Sequence, residues 1–265
     1  MSARRIVLAL VTIGVGLAAL LIVLASPVPH STVHTQAWAF NGFFGRHDPA
    51  QLKRGFTIYK DVCSGCHSMD LMHYRNLQEI GFTEDEVKEI AASVQVTDGP
   101  DDAGEMFERP GRASDPFKAP FANEQAARTA NNGALPPDLT LVAKSRAGAG
   151  FTGYDGADYL YSLLTGYEET PPAGVTLPEG MHYNHAFKGH AIAMPPPLAG
   201  GATTKEDGTP STLEEDARDI TAFLAWSAEG NLENRHRTGI KAILFLVIFT
   251  LLAYAAKRRV WAAVH

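Results

Sequence analysis

The sequence predicts a mainly α-helical protein with long surface loops and a membrane-crossing helix at its C-terminal end, on three observations. Helix-start signatures precede apolar residues spaced three and four apart at several places. No stretch alternates apolar and polar residues long enough for a strand, and no internal repeat of about 20–50 residues is present. An uncharged run at 242–256 is closed by Lys257-Arg258-Arg259, the order expected of a bilayer span with a cytoplasmic flank.

In chain order, residues 32–45 scatter Trp38, Phe40, Phe43 and Phe44 without a period, which predicts an extended lead-in lying on the domain. Asp48-Pro49-Ala50-Gln51 places an acid at an N-cap, proline at the first helical position and glutamine three after the cap. That helix is expected to reach Val62, with Gly55, Phe56 and Tyr59 on one face and the glycine allowing another helix to cross closely. Thr83-Glu84-Asp85-Glu86 starts a second helix, with Val87, Ile90, Ala91 and Val94 following at helical spacing. Residues 99–137 are dense in Gly, Pro and Asp and read as a long excursion, interrupted by a short helix at 123–129. Asp155 opens a third strong helix, with Tyr159, Leu160, Leu163 and Leu164 inward and Gly166 as its stop. Residues 168–210 read as loop. Ser211-Thr212-Leu213-Glu214 starts a fourth helix that turns Leu213, Ala217, Ile220 and Leu224 inward and ends at Gly230.

The two ends carry membrane signals. Residues 6–25 are twenty without a charge, preceded by Arg4-Arg5 and followed by Ser26-Pro27, the basic, apolar, helix-breaking order of a secretory signal. Val23-Leu24-Ala25 is an acceptable cleavage site and Ala37-Trp38-Ala39 a poorer one. The run also suffices to span a bilayer if it is kept. Residues 1–25 are therefore expected to be a signal peptide or an uncleaved membrane segment, 26–235 a periplasmic domain, and 236–265 an anchor spanning about 240–256. The uncharged core is short, but Lys241 and Lys257 can snorkel and Trp261 can sit at the interface. The cations at 257–259 place the C-terminus in the cytoplasm, and so the preceding domain outside.

Charge separates along the chain in the same way. All 29 Asp and Glu lie within 26–235, together with only 16 of the 23 Lys and Arg, so the body carries −13 while the other cations flank the apolar runs. Such a body excludes nucleic acid as a partner, is repelled by anionic lipid and attracts a basic protein.

The chemistry centres on Cys63-Ser64-Gly65-Cys66-His67. Two thiols three positions apart, with an imidazole directly after the second, suit the two vinyl groups of a haem and leave a nitrogen ligand beneath its iron. These are the only two cysteines in the chain, so no structural disulfide exists. A thioredoxin-like pair would need a βαβ setting that the flanks lack, and a zinc site would need a second ligand pair made from histidines alone. Attachment through thioethers takes place outside the bacterial cytoplasm, in agreement with the end signals. For the other face of the iron, Met69 and Met72 are too near His67 in sequence. Met106, Met181, Met194, His182, His185 and His190 remain, and of these Met194 opens a stiff Met194-Pro195-Pro196-Pro197 segment. A vacant sixth position, for gas or peroxide chemistry, also remains open at this point.

Several separate motifs in order extend the reading. They are Arg54-Gly55-Phe56 before Cys63-Ser64-Gly65-Cys66-His67-Ser68-Met69, Ala130-Asn131-Asn132-Gly133-Ala134-Leu135-Pro136-Pro137-Asp138-Leu139, Leu163-Leu164-Thr165-Gly166-Tyr167, Met194-Pro195-Pro196-Pro197-Leu198, and the tail helix ending Lys257-Arg258. Over residues 40–261 the sequence resembles the cytochrome c1 family, haem subunits of ubiquinol–cytochrome c reductase (bc1) complexes. The resemblance implies a c-type cytochrome domain with one covalently bound haem c on Cys63 and Cys66, His67 and Met194 as axial ligands, Arg146 and Tyr159 on a haem propionate, and residues 131–138 wrapping the haem edge. Some bacterial relatives have an extra disulfide or insertion before the ligand methionine; no cysteine serves that purpose here, which leaves proline and packing to restrain the Met194 loop.

The implied role is an electron carrier in the bacterial inner membrane, not an enzyme on its own. It takes electrons from the Rieske iron–sulfur subunit beside cytochrome b and gives them to a soluble basic cytochrome c. A membrane-tethered c-type subunit of another oxidase or reductase is the alternative, and a haem enzyme or sensor with an open sixth site is a third.

Overall fold

The computed structural model describes residues 33–148, 155–205 and 207–262. The expected signal or membrane segment at 1–25 lies outside the described residues.

Helix α1 (Pro49–Asp61) begins as its sequence requires, with the Asp48 carboxylate accepting the Ala50 N–H at 3.0 Å and Pro49 in the first turn. Gln51 does not close a capping box. Its side-chain amide donates to Asp219 at 3.1 Å instead, so tertiary pairing overrides the local option. A 3-10 turn (Cys63–Gly65) follows, then a 3-10 helix (Tyr74–Ile80) that Gly81 ends at φ 95°. Helix α2 (Glu84–Ala92) carries the full Thr83–Glu86 capping box and buries Val87 and Ala91, with Ile90 and Val94 half-buried.

Beyond α2 the chain forms an antiparallel ribbon, β1 (Gln95–Asp98) with β2 (Phe107–Pro110), in the register Val96↔Arg109. The sequence reads here as loop because neither strand alternates apolar residues. The ribbon is held by charge: Arg109 pairs with Asp98 and, at 2.6 Å, with Asp115. Short helices α3 (Glu124–Ala130), capped by Asn123, and α4 (Val142–Ser145) follow.

Helix α5 (Gly156–Thr165) starts at Asp155 and buries Tyr159 and Leu160, while Leu163 and Leu164 are only half-buried. Gly166 stops it at φ −95°, outside the left-handed region. Crowding rather than conformation calls for glycine there, since a Cβ would press on the Ser162 carbonyl and the Asn184 and His185 side chains. A two-residue ribbon, β3 (His182–Tyr183) with β4 (Ala191–Ile192), interrupts the next long loop.

Helix α6 (Leu213–Ala228) is capped one residue later than expected, by the Thr212–Glu215 box. Ser211 is buried and donates to Asp216 at 2.5 Å; adjacent hydroxyls and adjacent glutamates make the two registers locally equivalent. Helix α7 (Leu232–Trp261) then runs as one continuous helix, with no residue of it buried. Its 30 residues reach about 45 Å, so the helix begins before the expected boundary at 236 and is long and apolar enough to cross a membrane.

The core lies where α1 crosses α6, and α5 packs on the same α6. Gly55 makes the crossing possible: a Cβ there would overlap the Asp219 carbonyl and Phe223 Cβ. Arg54 Nε donates to Asp219 at 2.5 Å across the same contact. Phe56, Tyr59, Phe117 and Phe223 form the aromatic centre, with ring centroids 5.8–5.9 Å apart.

Candidate functional site

The end of α1 delivers the motif. The Val62 N–H closes the helix on the Ile58 and Tyr59 carbonyls. The N–H groups of Cys66 and His67 then return to the Cys63 carbonyl at 3.1 and 2.9 Å, so both thiols and the imidazole sit on one tight turn. Both cysteines are free, Cys63 half-buried and Cys66 exposed. Burial, reinforced by Cys66, pushes the Cys63 thiol up to about 12, the reverse of the depressed value that a redox-exchanging C-x-x-C pair needs.

His67 Nδ1 lies 2.8 Å from the Pro137 carbonyl. A carbonyl only accepts, so Nδ1 carries the proton and the Nε2 lone pair is left for a metal. Burial holds the imidazole below its ordinary 6.5, with the Pro137 bond and Asp138 opposing more weakly. The shift favours the neutral ring, the form that ligates iron.

The Pro137 segment is itself fastened to the motif. Asp138 accepts the Ser68 hydroxyl at 3.0 Å and the Asp70 N–H at 2.7 Å on one oxygen, and the Thr140 N–H at 2.9 Å on the other. The Leu139 N–H donates to the Ser68 carbonyl at 2.9 Å. Tyr59 donates its hydroxyl to the His67 carbonyl at 3.3 Å, and Ser227 of α6 donates to the Thr140 carbonyl at 3.0 Å. The segment turns at Asn132 (φ 51°) and Gly133 (φ 86°), the residue types that tolerate left-handed backbone.

A second limb carries Met194, just beyond β4. Met194 is half-buried, and the Tyr167 hydroxyl donates to its carbonyl at 3.1 Å. Burial raises the Tyr167 pKa, with the neighbouring Tyr159 adding to the shift, so the donor keeps its proton. Fully buried Asn184 ties the loop back to α5: its amide donates to the Leu163 carbonyl at 2.8 Å, and its oxygen accepts the Ala186 and Phe187 N–H groups. The other methionines among the described residues are placed differently, with Met69 and Met72 in the core and Met106 and Met181 exposed. Among the histidines of this loop, His190 stacks on Tyr183 and His185 faces Glu168 at 3.7 Å. Tyr159 is buried in α5, and exposed Arg146 caps α4. The two helices touch so closely that a Cβ on Gly156 would land on the Ala143 carbonyl.

Two thiols on one turn, a neutral imidazole with a free nitrogen and a tethered thioether form a donor set that fits a c-type haem. The sequence profile of the Cytochrome C1 family matches residues 38–264. The chain belongs to the cytochrome c1 family. Among its relatives, "Cytochrome c1" of Rhodospirillum rubrum is 44% identical over 245 residues, covering 87% of this chain and 88% of that protein. "Cytochrome b/c1" of Bradyrhizobium diazoefficiens is 47% identical over 242 residues, 86% of this chain but only 35% of that longer protein. "Cytochrome b-c1 complex catalytic subunit, mitochondrial" of Candida albicans is 45% identical over 224 residues, 84% of this chain and 75% of the relative.

Membership of the cytochrome c1 family implies a haem cofactor. The residues that bond to the Cys63–His67 turn and to the Met194 limb were not singled out from the sequence. Pro137 and Asp138 stood inside a motif whose bonding partners lie about 70 positions away. Tyr167 ended the quoted Leu163–Tyr167 motif, yet nothing in its spacing to Met194 signals a hydrogen bond.

Proposed function

We propose that this cytochrome c1 family member is the haem-bearing electron-transfer subunit of a ubiquinol–cytochrome c reductase (bc1) complex. It receives electrons from a Rieske iron–sulfur protein beside cytochrome b and passes them to a soluble basic cytochrome c. The single observation that carries the reading is the His67 imidazole, held through Nδ1 to the Pro137 carbonyl on the turn that also bears both cysteines. The relatives named "Cytochrome b/c1" and "Cytochrome b-c1 complex catalytic subunit" support the complex and a cytochrome b partner.

In this reading Cys63 and Cys66 would hold one haem c through thioethers, and His67 Nε2 and the Met194 sulfur would be the donors to its iron. Arg146 and Tyr159 would contact a propionate, where a guanidinium and a phenol would offset anionic charge. The haem, when bound, would supply a one-electron iron couple, and a methionine sulfur among its donors would raise the potential. The protein's part is to hold ligands still. Tyr59 fixes the His67 carbonyl and Asp138 the backbone just after it, while Tyr167 and the prolines at 195–197 fix the Met194 limb. With His67 and Met194 both given to holding the iron, the subunit would act as an electron carrier and not as an enzyme on its own. Residues 26–235 then form the periplasmic haem domain and α7 the anchor in the bacterial inner membrane.

An alkaline pyridine, reduced-minus-oxidised spectrum of the purified chain tests this. One haem c per polypeptide, retained on a denaturing gel, is the expected result. Colourless protein from cells with working maturation machinery would remove the reading.

A further inference from the structure

We propose that the turn carrying Phe43 and Phe44 is a second membrane contact, seated in the headgroup–acyl boundary of the bilayer that α7 crosses; this rests on α7 being the anchor. The expected lead-in does lie on the domain at Trp38 and Phe40, both buried. Trp38 donates its indole N–H to Asp158 at 2.8 Å and stacks on Phe40. The next residues leave the body. Phe43 is 55% and Phe44 79% exposed, and the two rings meet edge to face at 5.0 Å.

This exposure is built. The Asn41 N–H returns to the Trp38 carbonyl, Gly45 to Gly42 and Arg46 to Ala39, at 2.9–3.2 Å. Gly42 takes φ 84°, and a Cβ on Gly45 would strike the Phe40 carbonyl. A closed turn on a buried aromatic base holds two phenyl rings in the open, an arrangement that costs free energy in water and recovers it in an apolar layer.

The position of the turn selects lipid as the occupant. The Phe43 ring lies nearly parallel to that of His236 on α7, 6.4 Å between centroids. His236 precedes the apolar stretch opening at Ile240 by four residues, a rise of about 6 Å. The rings thus stand at the level of the interfacial layer, where amphipathic elements bury their apolar side by roughly 5–10 Å. Exposed Arg46, Arg237 and Lys241 lie on the same stretch of α7 or directly beside the turn, suited to lipid phosphates. Arg235 is occupied by Glu229 at 2.7 Å, and Glu233 is the one nearby acid on the first turn of α7. With a span below and a loop contact beside it, the domain is held by two points and its tilt about α7 is restricted.

The test uses the full haem-loaded chain in nanodiscs of mixed zwitterionic and anionic phospholipid, with the photocrosslinker p-benzoylphenylalanine placed at position 44 or, separately, at 249 in the middle of α7. Phospholipid adducts at both positions are the expected result. An adduct at 249 with none at 44 overturns this inference and leaves the anchor intact, as does a chain-to-chain adduct at 44. Absence of adducts at both overturns the anchor reading and this inference with it.

Discussion

A single hydrogen bond decides what His67 can do. With Nδ1–H committed to Pro137, the ring cannot rotate or present the wrong tautomer, and Asp138 keeps Pro137 in place. Asp138→Ala removes three acceptor contacts and should lower stability by about 1–2 kcal/mol in urea titrations. Met194→Leu removes the proposed sixth ligand without altering the Tyr167 bond to the backbone carbonyl, so the reduced variant should bind carbon monoxide at neutral pH where the parent does not. Spectra unchanged by the substitution would exclude Met194. His47 behaves differently. Its ring is stacked on Phe40 at 4.9 Å, and burial depresses its pKa from 6.5 despite opposing Glu233 and Glu229. The unfolded chain therefore takes up a proton that the folded ring resists. Stability from this group is present above pH 6.5 and is lost as pH falls through that value toward the folded pKa. His47→Phe, which keeps the stack, should raise the melting temperature more at about pH 5.5 than at about pH 7.5.

Among the elements, the crossing of α1 over α6 is the joint that places the motif, since the Cys63 turn begins where α1 ends. Glycine is about 1 kcal/mol worse than alanine inside a helix, so a purely local view expects Gly55→Ala to stabilise. The crossing reverses the sign. A Cβ at this position meets the Asp219 carbonyl and Phe223 Cβ, and forcing the helices apart should cost about 1–3 kcal/mol and lower the melting temperature. Asp219 contributes from the α6 side, nearly buried and bonded to both Arg54 and Gln51. The β1–β2 ribbon has no comparable apolar support and depends on Arg109 with Asp98 and Asp115.

Over the whole molecule the organising feature is charge set against apolar surface. The stretch 26–235 carries −13 while cations bracket α7, so the excess of negative charge on the body is separated from the positive flanks of the apolar helix. A basic electron acceptor would be steered to such a body. Its association rate should fall steeply as salt rises, because interactions beyond about 8 Å are screened at physiological ionic strength. A rate independent of ionic strength, in stopped-flow measurements with a basic cytochrome c, would reject that steering.

What the sequence by itself determined was everything governed by neighbours a few positions apart. The Asp48 and Thr83 caps, the start of α5 at Asp155, the α1 face and the apolar length of α7 follow from spacings of one to four residues, whereas the α5 face is narrower than its spacing suggests, with Leu163 and Leu164 only half-buried. Where two local solutions were equal, as at Ser211 and Thr212, only the buried Asp216 separated them. The β1–β2 ribbon, the aim of His67 at Pro137, the tether from Tyr167 to Met194 and the outward clasp of Phe43 and Phe44 were decided by tertiary structure. Each depends on partners brought together by folding or on a loop geometry that no periodic pattern encodes.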